Sequence, residues 1–439
     1  MPLPVIKQIK QSEVWRNLFK ILTSASIAQV IPILIYPILT RIFHAEQFGL
    51  LALYQGICAI AIIPASGRYE FAIMIPEKDE DAWNLLGFGL FLGGCVSIIL
   101  LIISVLFANP IARMLGNQLI APWLPIISLS VFLTVIYLFI TFWANRKKEY
   151  NIIAGYTIYQ SASVSVGKLG MGYTALRSGG LIAGAIIGQL VASLWLAFKV
   201  LHKYQSLLSK LSWNKMFAQA KRFKNFPKFR MLHALTNNFS GNLPIFIFTS
   251  YFSPVFAGYW SLAFSVVYKP MSLFTGSLMQ VFSQRMIERA NKGESIHKHV
   301  KEVIAKMVLI GIVPFIVVGI AAPSIFGWIF GSEWFTAGKY LQIMMPWLFT
   351  LYLAAPFSFI ADLAGKQGIQ FILAFVNLIL RLVALSVGII THNIILALIL
   401  LTVGGVATNL YYLLWYLNLS KRQLKASLFF PSGENIDAT

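Results

Sequence analysis

Long apolar stretches separated by short polar segments make up almost all of this sequence. Residues 82–107 and 394–418 contain no charged side chain, and each is long enough for an α-helix to cross the hydrocarbon core of a bilayer. Twelve such stretches are predicted to be transmembrane helices: 17–40, 48–75, 82–107, 119–143, 152–174, 180–201, 231–252, 256–283, 303–322, 336–360, 368–390 and 394–418. The pattern therefore predicts an all-α polytopic membrane protein.

The fifth stretch, 152–174, is the least apolar of the twelve. Its residues 160–173 (QSASVSVGKLGMGY) are mostly small or polar. Small side chains allow two helices to approach each other closely within a membrane. Close helix packing is therefore the reason to retain this stretch as a transmembrane helix.

The basic residues indicate the orientation of the helices. With the N-terminus inside, alternate loops and the adjoining ends of the apolar stretches place 27 lysines and arginines on the inner side and 4 on the outer side, and 4 more lie in the interior of the stretches. An excess of Lys and Arg in cytoplasmic loops is the general rule for polytopic membrane proteins. We therefore expect both termini to be cytoplasmic.

The amino-acid composition is also that of a membrane protein, and the net charge bears on whether the protein binds nucleic acid. Of the 439 residues, 58% are hydrophobic and 11% are charged, whereas soluble domains have about 45–50% and 25%. The formal net charge is +20, but the orientation accounts for this excess, so we expect no nucleic-acid partner. Cys58 and Cys95 both lie in apolar stretches and predict no disulfide framework.

One sizeable inner loop, 202–230, divides the chain into two sets of six helices. We expect an N-terminal lobe over 1–201, a C-terminal lobe over 231–418 and a cytoplasmic tail over 419–439. Apolar residues in the loop alternate with basic ones: Leu207, Leu208, Leu211, Met216, Phe217, Ala220 and Phe223 with Lys210, Lys215, Lys221, Arg222 and Lys224. Two interpretations remain open, namely a surface helix on anionic inner-leaflet lipid and a basic linker between the lobes.

The two lobes resemble each other in sequence, which indicates a six-plus-six duplication. In the first alignment, IAQVIPILI (27–35) matches FSGNLPIFI (239–247), with Pro32 opposite Pro244. In the second, FGLLAL (48–53) matches AGYWSL (257–262), with Gly49 opposite Gly258. Both copies run in the same direction, so the repeat is parallel, with its axis along the membrane normal.

Four basic residues lie in the interior of the apolar stretches, away from their ends: Arg68, Lys168, Lys269 and Arg381, in the second, fifth, eighth and eleventh helices. A charge at bilayer depth is costly unless it faces a polar cavity or a partner. We predict that these four side chains line a central cavity suited to an anionic passenger, and phosphate is the group that Arg and Lys bind best. The alternative, snorkelling to the headgroups, stays open for Arg68 and Lys168 in particular.

Glu70 is the only acid within an apolar stretch. On a continuous helix it would point about 200° away from Arg68, so we expect no pair between them. Two interpretations remain open: a pair with a cation on another helix, or a proton or ion site that couples transport to H⁺ or Na⁺.

Polar side chains before Pro32 and Pro244 give the first and seventh helices a polar face. We predict that Gln29, Asn237 and Asn242, together with Tyr69, line the same cavity; interhelical hydrogen bonding is the alternative. The sequence shows no spacing typical of a metal site or of a nucleophile–base pair. We therefore expect no metal, no cofactor and no enzymatic activity.

Two runs of the chain carry a family resemblance. They are IAQVIPILIYPILTRIFHAEQFGLLALY…SGRYEFAIMIPEKDEDAWNLL (27–86) and FPKFRMLHALTNNFSGNLPIFIF…FAGYWSLAFSVVYKPMSLFTGSLMQVFSQR (226–285). Both resemble the Wzx-type flippases that move lipid-linked oligosaccharides in bacterial surface-polysaccharide synthesis. That family shares a superfamily with multidrug and toxin extrusion (MATE) carriers and lipid II flippases. In this resemblance Arg68 matches the charged position after Gly67, and Lys269 matches the basic position of the eighth helix.

The resemblance implies a MATE-like fold of two six-helix lobes, whose cationic cavity opens alternately to each side of the membrane. It also implies the transport of an undecaprenyl-pyrophosphate-linked oligosaccharide, such as an O-antigen unit, across the bacterial inner membrane. A polysaccharide polymerase and a chain-length regulator are the implied protein partners beside membrane lipids, and we expect a monomer. The alternative is a multidrug or cation antiporter of the same fold, which one acid against four bases disfavours.

Overall fold

The computed structural model describes residues 13–174 and 179–421. Fifteen α-helices lie in that part of the chain: α1 (Glu13–Ile42), α2 (Ala45–Ser66), α3 (Asp79–Met114), α4 (Leu124–Arg146), α5 (Tyr150–Gly172), α6 (Gly180–Lys203), α7 (Gln205–Leu208), α8 (Trp213–Arg222), α9 (Met231–Ile247), α10 (Pro254–Asn291), α11 (His297–Phe330), α12 (Phe335–Ala354), α13 (Phe359–Leu363), α14 (Gln367–Ile390) and α15 (Ile394–Ser420). Short 3₁₀ or π turns adjoin several of them: Tyr69–Met74, Gln118–Trp123, Phe226–Arg230, Phe248–Phe252, Ser332–Trp334 and Ala355–Phe357.

Each of the twelve predicted stretches falls on a long helix, or on a long helix and the turn that adjoins it. Within the described residues, eight segments are long and apolar enough to cross a bilayer: Ala45–Ser66, Asp79–Met114, Gln118–Arg146, Gly180–Lys203, His297–Phe330, Ser332–Leu363, Gln367–Ile390 and Ile394–Ser420. The other four long helices, α1, α5, α9 and α10, are not among these segments; the apolar part of α1 is the shorter segment Ser26–Ile42, and α9 has 17 residues. The chain is therefore a helical multi-pass membrane protein, while twelve crossings and cytoplasmic termini stay predictions.

The long helices expose apolar side chains over much of their surface. Leu106 of α3 is 68% exposed and Leu309 of α11 is 76% exposed, and both lie among other exposed aliphatic residues. Contiguous apolar surface of this extent is rare on soluble proteins. These faces are therefore the ones that contact the hydrocarbon of the bilayer.

The chain forms two compact units, of which the first ends at Ser261 and the second begins at Leu262, within α10. In the first unit α5 packs along α1 and α6, and α4 contacts α2, α3 and α6. In the second unit α12 packs against α11 and α15, and α14 packs against α15. The predicted lobe boundaries around 202–230 stay a prediction.

Aromatic packing fixes the end of the first unit at which α3 begins and α4 ends. The rings of Trp83 and Trp143 are both buried and meet edge to face, with centroids 4.7 Å apart. Tyr204, just after α6, packs edge to face on Trp143 at 5.4 Å. These three aromatic residues hold together the start of α3, the end of α4 and the end of α6.

Glycines bring the backbones of α5 and α6 into contact. A Cβ on Gly184 would lie 2.5 Å from the carbonyl carbon of Gly167, and a Cβ on Gly188 would lie 2.6 Å from the carbonyl carbon of Ser163. Only glycine fits so close an approach. The expectation that the small residues of 152–174 serve close helix packing is thus confirmed.

The second predicted stretch, 48–75, is not one continuous helix. The α2 helix ends at Ser66, and Gly67 and Arg68 then adopt left-handed backbone conformations with φ of 55° and 60°. The Gly67 N–H donates to the carbonyls of Ile63 and Pro64, which is the usual way a glycine closes a helix. A hydropathy pattern does not register this break because the residues after it are apolar again.

The loop 202–230 contains the helix α8, and its contact with a lipid surface stays a prediction. However, one side of its apolar face does not meet lipid, because Met216, Ala220 and Phe223 are buried in the protein. The packing partner of α8 is the first part of α3. Trp213 and Phe217, at the adjoining edge of the same apolar face, are exposed.

Candidate functional site

Arg68 and Glu70 lie in the turn after α2 rather than inside a helix. The Arg68 backbone N–H donates to the Ser66 hydroxyl at 3.2 Å, and its guanidinium Nη1 lies 3.4 Å from Glu70 Oε1. The expectation that these two side chains do not pair is therefore wrong. It assumed helical geometry, whereas the left-handed residue at 68 and the 3₁₀ turn that follows bring both side chains to one side.

Glu70 is fully buried. Its Oε1 receives the contact from Arg68, while its Oε2 makes no hydrogen bond to any described residue. Burial raises the pKa of the Glu70 carboxyl, and the nearby Arg68 guanidinium opposes that rise. The site thus holds a buried acid whose charge is balanced by one partly exposed arginine.

Two guanidinium groups converge on the ring of Phe71. Arg68 Cζ lies 5.7 Å from the ring centroid, and Arg230 Cζ, from the turn before α9, lies 5.5 Å from it. Arg230 also lies 5.2 Å from the centroid of Phe226, and Phe142 of α4 meets Phe71 edge to face at 5.0 Å. We call Arg68, Phe71 and Arg230 the Phe71 cluster.

The Phe71 cluster is accessible from outside the protein core. Phe71 is 37% exposed, the Arg68 side chain is 23% exposed, and Arg230 is an exposed residue. Sequence reasoning missed Arg230, because the residue was counted among the charges of the inner loop. The aromatic and basic run FPKFR (226–230) was the available signal.

A charged network holds the segment that carries Phe71. Arg146, at the end of α4, donates to the carbonyls of Ile73 and Glu77 at 3.1 Å each, and to the Asp79 carboxylate at 3.0 Å. Lys147 donates to the other oxygen of Asp79 at 2.6 Å. The start of α3 and the end of α4, which lie at the same end of this helix pair, therefore fix the position of the Tyr69–Met74 turn.

Tyr69, predicted to line a cavity, is only 6% exposed. Its hydroxyl donates to the carbonyl of Ala220 in α8 at 3.2 Å, and its ring meets Phe88 edge to face at 5.3 Å. The residue thus links the turn after α2 to the surface helix. A lining role for Tyr69 stays a prediction.

Lys168 and Gln29 lie on neighbouring helices, α5 and α1. The hydroxyl of Ser161 in α5 donates to the carbonyl of Ala28 in α1. Gln29 Oε1 is buried and has no hydrogen-bond partner among the described residues. Lys168 lies half-buried beside the Gly167–Gly184 contact, so the structure brings these two predicted lining residues to one pair of helices.

The amides of α9 are largely engaged within their own helix. Asn242 Nδ2 donates to the carbonyl of Asn238 at 2.8 Å, and its Oδ1 lies against Gly56 of α2. Asn237 Nδ2 lies 3.2 Å from His233 Nε2. The predicted lining role of Asn237 and Asn242 therefore stays a prediction.

Arg381 and Lys269 belong to the second unit. Arg381 Cζ of α14 lies 5.3 Å from the ring of Trp347 in α12, a residue only 7% exposed. Phe264 lies 5.9 Å from Trp347 and stacks on Tyr268 at 4.7 Å, next to the half-buried Lys269. Arg381 of α14 therefore packs on a neighbouring helix of its own unit, α12.

The structure brings Arg68 and Glu70 together with Arg230 around Phe71, with Tyr69 in the same turn, and it places Lys168 and Gln29 on two packed helices without showing a contact between them. A common cavity for Arg68, Lys168, Lys269 and Arg381 stays a prediction. Among the described residues no group of three or more His, Cys, Asp or Glu side chains could hold a metal ion.

A family model described as "Polysaccharide biosynthesis protein" matches residues 38–338, well over half of the chain. The chain belongs to this polysaccharide biosynthesis family. The family assignment agrees with the resemblance to Wzx-type translocases that the sequence shows. A comparison with curated proteins finds no match.

Solved structures related to this polysaccharide biosynthesis protein share its fold at low identity. The lipid II flippase MurJ in an inward closed conformation has a TM-score of 0.70 and 13% identity, covering 90% of this chain and 89% of MurJ. An inward-facing MATE transporter of the MOP superfamily has a TM-score of 0.62 and 12% identity, covering 91% and 94%. A MOP superfamily transporter from Pyrococcus furiosus has a TM-score of 0.60 and 14% identity, covering 92% and 96%. The predicted MATE-like fold is confirmed.

Proposed function

We propose that this protein is a flippase for an undecaprenyl-pyrophosphate-linked oligosaccharide, an O-antigen or related surface-polysaccharide unit. It moves this lipid from the inner to the outer leaflet of the bacterial cytoplasmic membrane by alternating access. The observation that carries the proposal is the Phe71 cluster, in which Arg68 and Arg230 meet at an accessible aromatic ring. The polysaccharide biosynthesis family supports the substrate class.

The chemistry of the Phe71 cluster suits a pyrophosphate. A guanidinium presents a planar set of donors that matches two phosphate oxygens at once. A pyrophosphate carries two such groups, and the cluster holds two guanidiniums over one ring. Stacking on Phe71 and Phe226 keeps the arginines oriented before the lipid arrives, which reduces the entropy lost on binding.

The location of the cluster suits capture from the inner leaflet. Arg146, Lys147, Lys203, Lys215 and Arg230 lie at one end of the first unit, paired in part with Asp79, Glu149 and Glu80. Following the positive-inside rule, we propose that this end is cytoplasmic. We therefore propose twelve transmembrane helices with both termini inside, and a cluster that first meets the pyrophosphate at the cytoplasmic headgroups.

The remaining predicted cations receive the substrate later in the cycle. Lys168, Lys269 and Arg381 bind the phosphates, the amides contact the sugars, and the lipid tail stays in the bilayer. Substrate binding shifts the equilibrium between the inward-open and outward-open states towards the state that binds the substrate more tightly. No bond of the substrate is broken, so the protein acts as a transporter and not as an enzyme.

Glu70 is the proposed site of coupling to H⁺ or Na⁺. The acid is buried, one of its oxygens is unpartnered among the described residues, and its only ion pair there is with Arg68. Protonation of Glu70 would release Arg68 for the substrate. Binding of pyrophosphate and binding of a proton are thereby linked through one guanidinium.

The test uses the purified full-length protein in proteoliposomes with a fluorescent undecaprenyl-pyrophosphate oligosaccharide. Translocation is measured as protection of the glycan from a membrane-impermeant lectin. Arg68→Gln and Arg230→Gln should each slow translocation about 10- to 100-fold, since hydrogen bonds to charged groups contribute about 1.5–3 kcal/mol. Arg113→Gln, an exposed arginine at the far end of α3, is the matched control and should keep the wild-type rate.

Two outcomes would count against the proposal. A wild-type rate in the Arg68→Gln/Arg230→Gln double variant would contradict the role of the Phe71 cluster. Gradient-driven efflux of cationic dyes by a protein that leaves the glycan lipid untouched would favour the alternative, a multidrug or cation antiporter of the same fold.

A further inference from the structure

Three aromatic side chains form an exposed patch where α8 meets α3. Phe91 of α3 lies 4.9 Å from Trp213 and 6.2 Å from Phe217, measured between ring centroids. Phe91, Trp213 and Phe217 are 39%, 59% and 52% exposed. We call these three residues the α8 patch.

The α8 patch continues the lipid-facing surface of α3. Beyond Phe91, the exposed residues Ile98, Ile102 and Leu106 follow at helical spacing along the same face of α3. The patch is therefore the end of a stripe that runs along a membrane-spanning helix. Aromatic side chains at such an end are typical of the border between hydrocarbon and headgroups.

Basic residues flank the α8 patch along the chain. The segment 202–230 contains no acid, and Lys210, Lys221 and Lys224 are exposed. Lys215 is engaged by Glu80 of α3. An amphipathic helix with aromatic residues on one side and lysines around them is the form of an interfacial helix that binds anionic lipid.

The adjoining side of α8 is hydrogen-bonded to the turn that carries Arg68. The Tyr69 hydroxyl donates to the carbonyl of Ala220, so α8 contacts the turn that carries Arg68. Asn84 of α3 donates to the carbonyl of Lys210 at 3.2 Å and accepts from the N–H of Ser212 at 3.0 Å. These hydrogen bonds join the start of α8 to α3 and the end of α8 to the turn that carries Arg68 and Phe71.

We propose that the α8 patch and its fringe of Lys210, Lys221 and Lys224 bind anionic phospholipid of the inner leaflet. When α8 is bound to this lipid, the hydrogen bond from Tyr69 to Ala220 holds the turn that carries Arg68 in position. The activity of the protein therefore depends on the charge of the surrounding lipid as well as on its substrate. The inference rests on the orientation under the proposed function, but not on the identity of the transported glycan.

The first experiment measures lipid binding without any glycan. The full-length protein is placed in nanodiscs of phosphatidylcholine that contain roughly 0–40% phosphatidylglycerol, so that the lipid surface ranges from neutral to strongly anionic. Amide hydrogen exchange is then followed over 205–224. Exchange across α8 should slow about threefold or more as phosphatidylglycerol rises, and 0.5 M NaCl should reverse the effect, since salt screens exposed charges.

A charge-matched pair of variants tests the location. Lys210→Gln/Lys221→Gln/Lys224→Gln should lose the dependence of α8 exchange on phosphatidylglycerol. Lys298→Gln/Lys301→Gln/Lys306→Gln removes three exposed lysines from α11 in the other unit and should keep it. Equal lipid dependence in the two triple variants, or none in the wild type, would overturn the proposal. Protection of α8 only in native membranes would likewise overturn it in favour of a protein partner.

The second experiment tests the positioning of Arg68. Tyr69→Phe removes the hydrogen bond to Ala220 but keeps the ring. We expect this variant to retain the lipid-dependent protection of α8 while its translocation rate no longer rises with phosphatidylglycerol. A Tyr69→Phe protein whose translocation responds to phosphatidylglycerol as the wild type does would overturn the positioning role. If the wild type translocates no glycan lipid, the proposed function fails while the exchange experiment still decides lipid binding.

Discussion

Gly49 of α2 and Gly258 of α10 lie against each other with reciprocal geometry. A Cβ on Gly49 would overlap the carbonyl oxygen of Pro254, four residues before Gly258, and a Cβ on Gly258 would overlap that of Ala45, four residues before Gly49. Each imagined Cβ would also lie 3.1 Å from the backbone nitrogen of the opposite glycine. These are the two glycines that align in the internal repeat, so equivalent positions of the duplication meet at one point.

Substituting either glycine should destabilise this contact. We expect Gly49→Ala or Gly258→Ala to lower the free energy of unfolding by about 1–3 kcal/mol, because backbone atoms must move apart to admit a methyl group. Thermal unfolding of the detergent-purified protein measures the change. Gly276→Ala, in the same helix as Gly258 but with no atom within 4 Å of an added Cβ, is the control and should not destabilise. Equal unfolding temperatures for all three variants would contradict the close approach.

Phe71 should be needed for substrate affinity rather than for folding. Replacement by leucine removes the ring on which Arg68 and Arg230 stack, and exposed cation–π contacts contribute about 0.5–1 kcal/mol each. We therefore expect Phe71→Leu to raise the KM for the glycan lipid about five- to thirtyfold, with Phe71→Tyr near the wild type. Translocation rates at a series of substrate concentrations separate KM from kcat. An unchanged KM in Phe71→Leu would show that the ring does not organise the arginines.

Glu70 should make the stability of the protein depend on pH. Because burial raises its pKa in the native state, the native protein keeps a proton that the unfolded chain has already lost as pH rises above the ordinary range of glutamate. Stability therefore falls with increasing pH until the native carboxyl ionises as well. The Glu70→Gln variant cannot ionise and should lack this decline. Unfolding temperatures from pH 4 to pH 8, a span chosen around the usual glutamate range of about 4.3, measure the difference, and parallel curves for the two proteins would contradict the prediction.

Arg381 and Trp347 should be energetically coupled. A largely desolvated cation–π contact contributes about 2 kcal/mol, and the two groups lie 5.3 Å apart. A double-mutant cycle with Arg381→Met and Trp347→Leu should give a coupling energy of about 1–2 kcal/mol by thermal unfolding. The same cycle with Arg381→Met and Phe326→Leu, a buried aromatic residue of α11, should give a value near zero. Additive effects of Arg381→Met and Trp347→Leu would exclude the coupling.

Hydropathy and small residues predicted the parts of the fold that depend on local composition. Every predicted apolar stretch falls on a helix, because membrane helices must be apolar over a length that the bilayer sets. The glycines of 152–174 likewise predicted a close contact, which Gly167 makes with Gly184. Both signals are contained in the residues that form the element.

The candidate site depended on features outside any single element. The pair of Arg68 and Glu70 required the left-handed turn at Gly67, which the apolar residues on both sides conceal. Arg230 joined the site only because the chain returns from the loop 202–230 beside Phe71. The burial of Met216 and Ala220 likewise depended on α3 lying under α8. Sequence patterns give the periodicity of a helix but not which of its faces meets protein and which meets lipid.

The glycines of α5 and α6 bring the main chains of the two helices into direct contact, and backbones packed this closely resist sliding along each other. We therefore expect α5 and α6 to move together in any change of conformation. Lys168 in α5 and Lys203 at the end of α6 would then keep the same separation in every state of the protein.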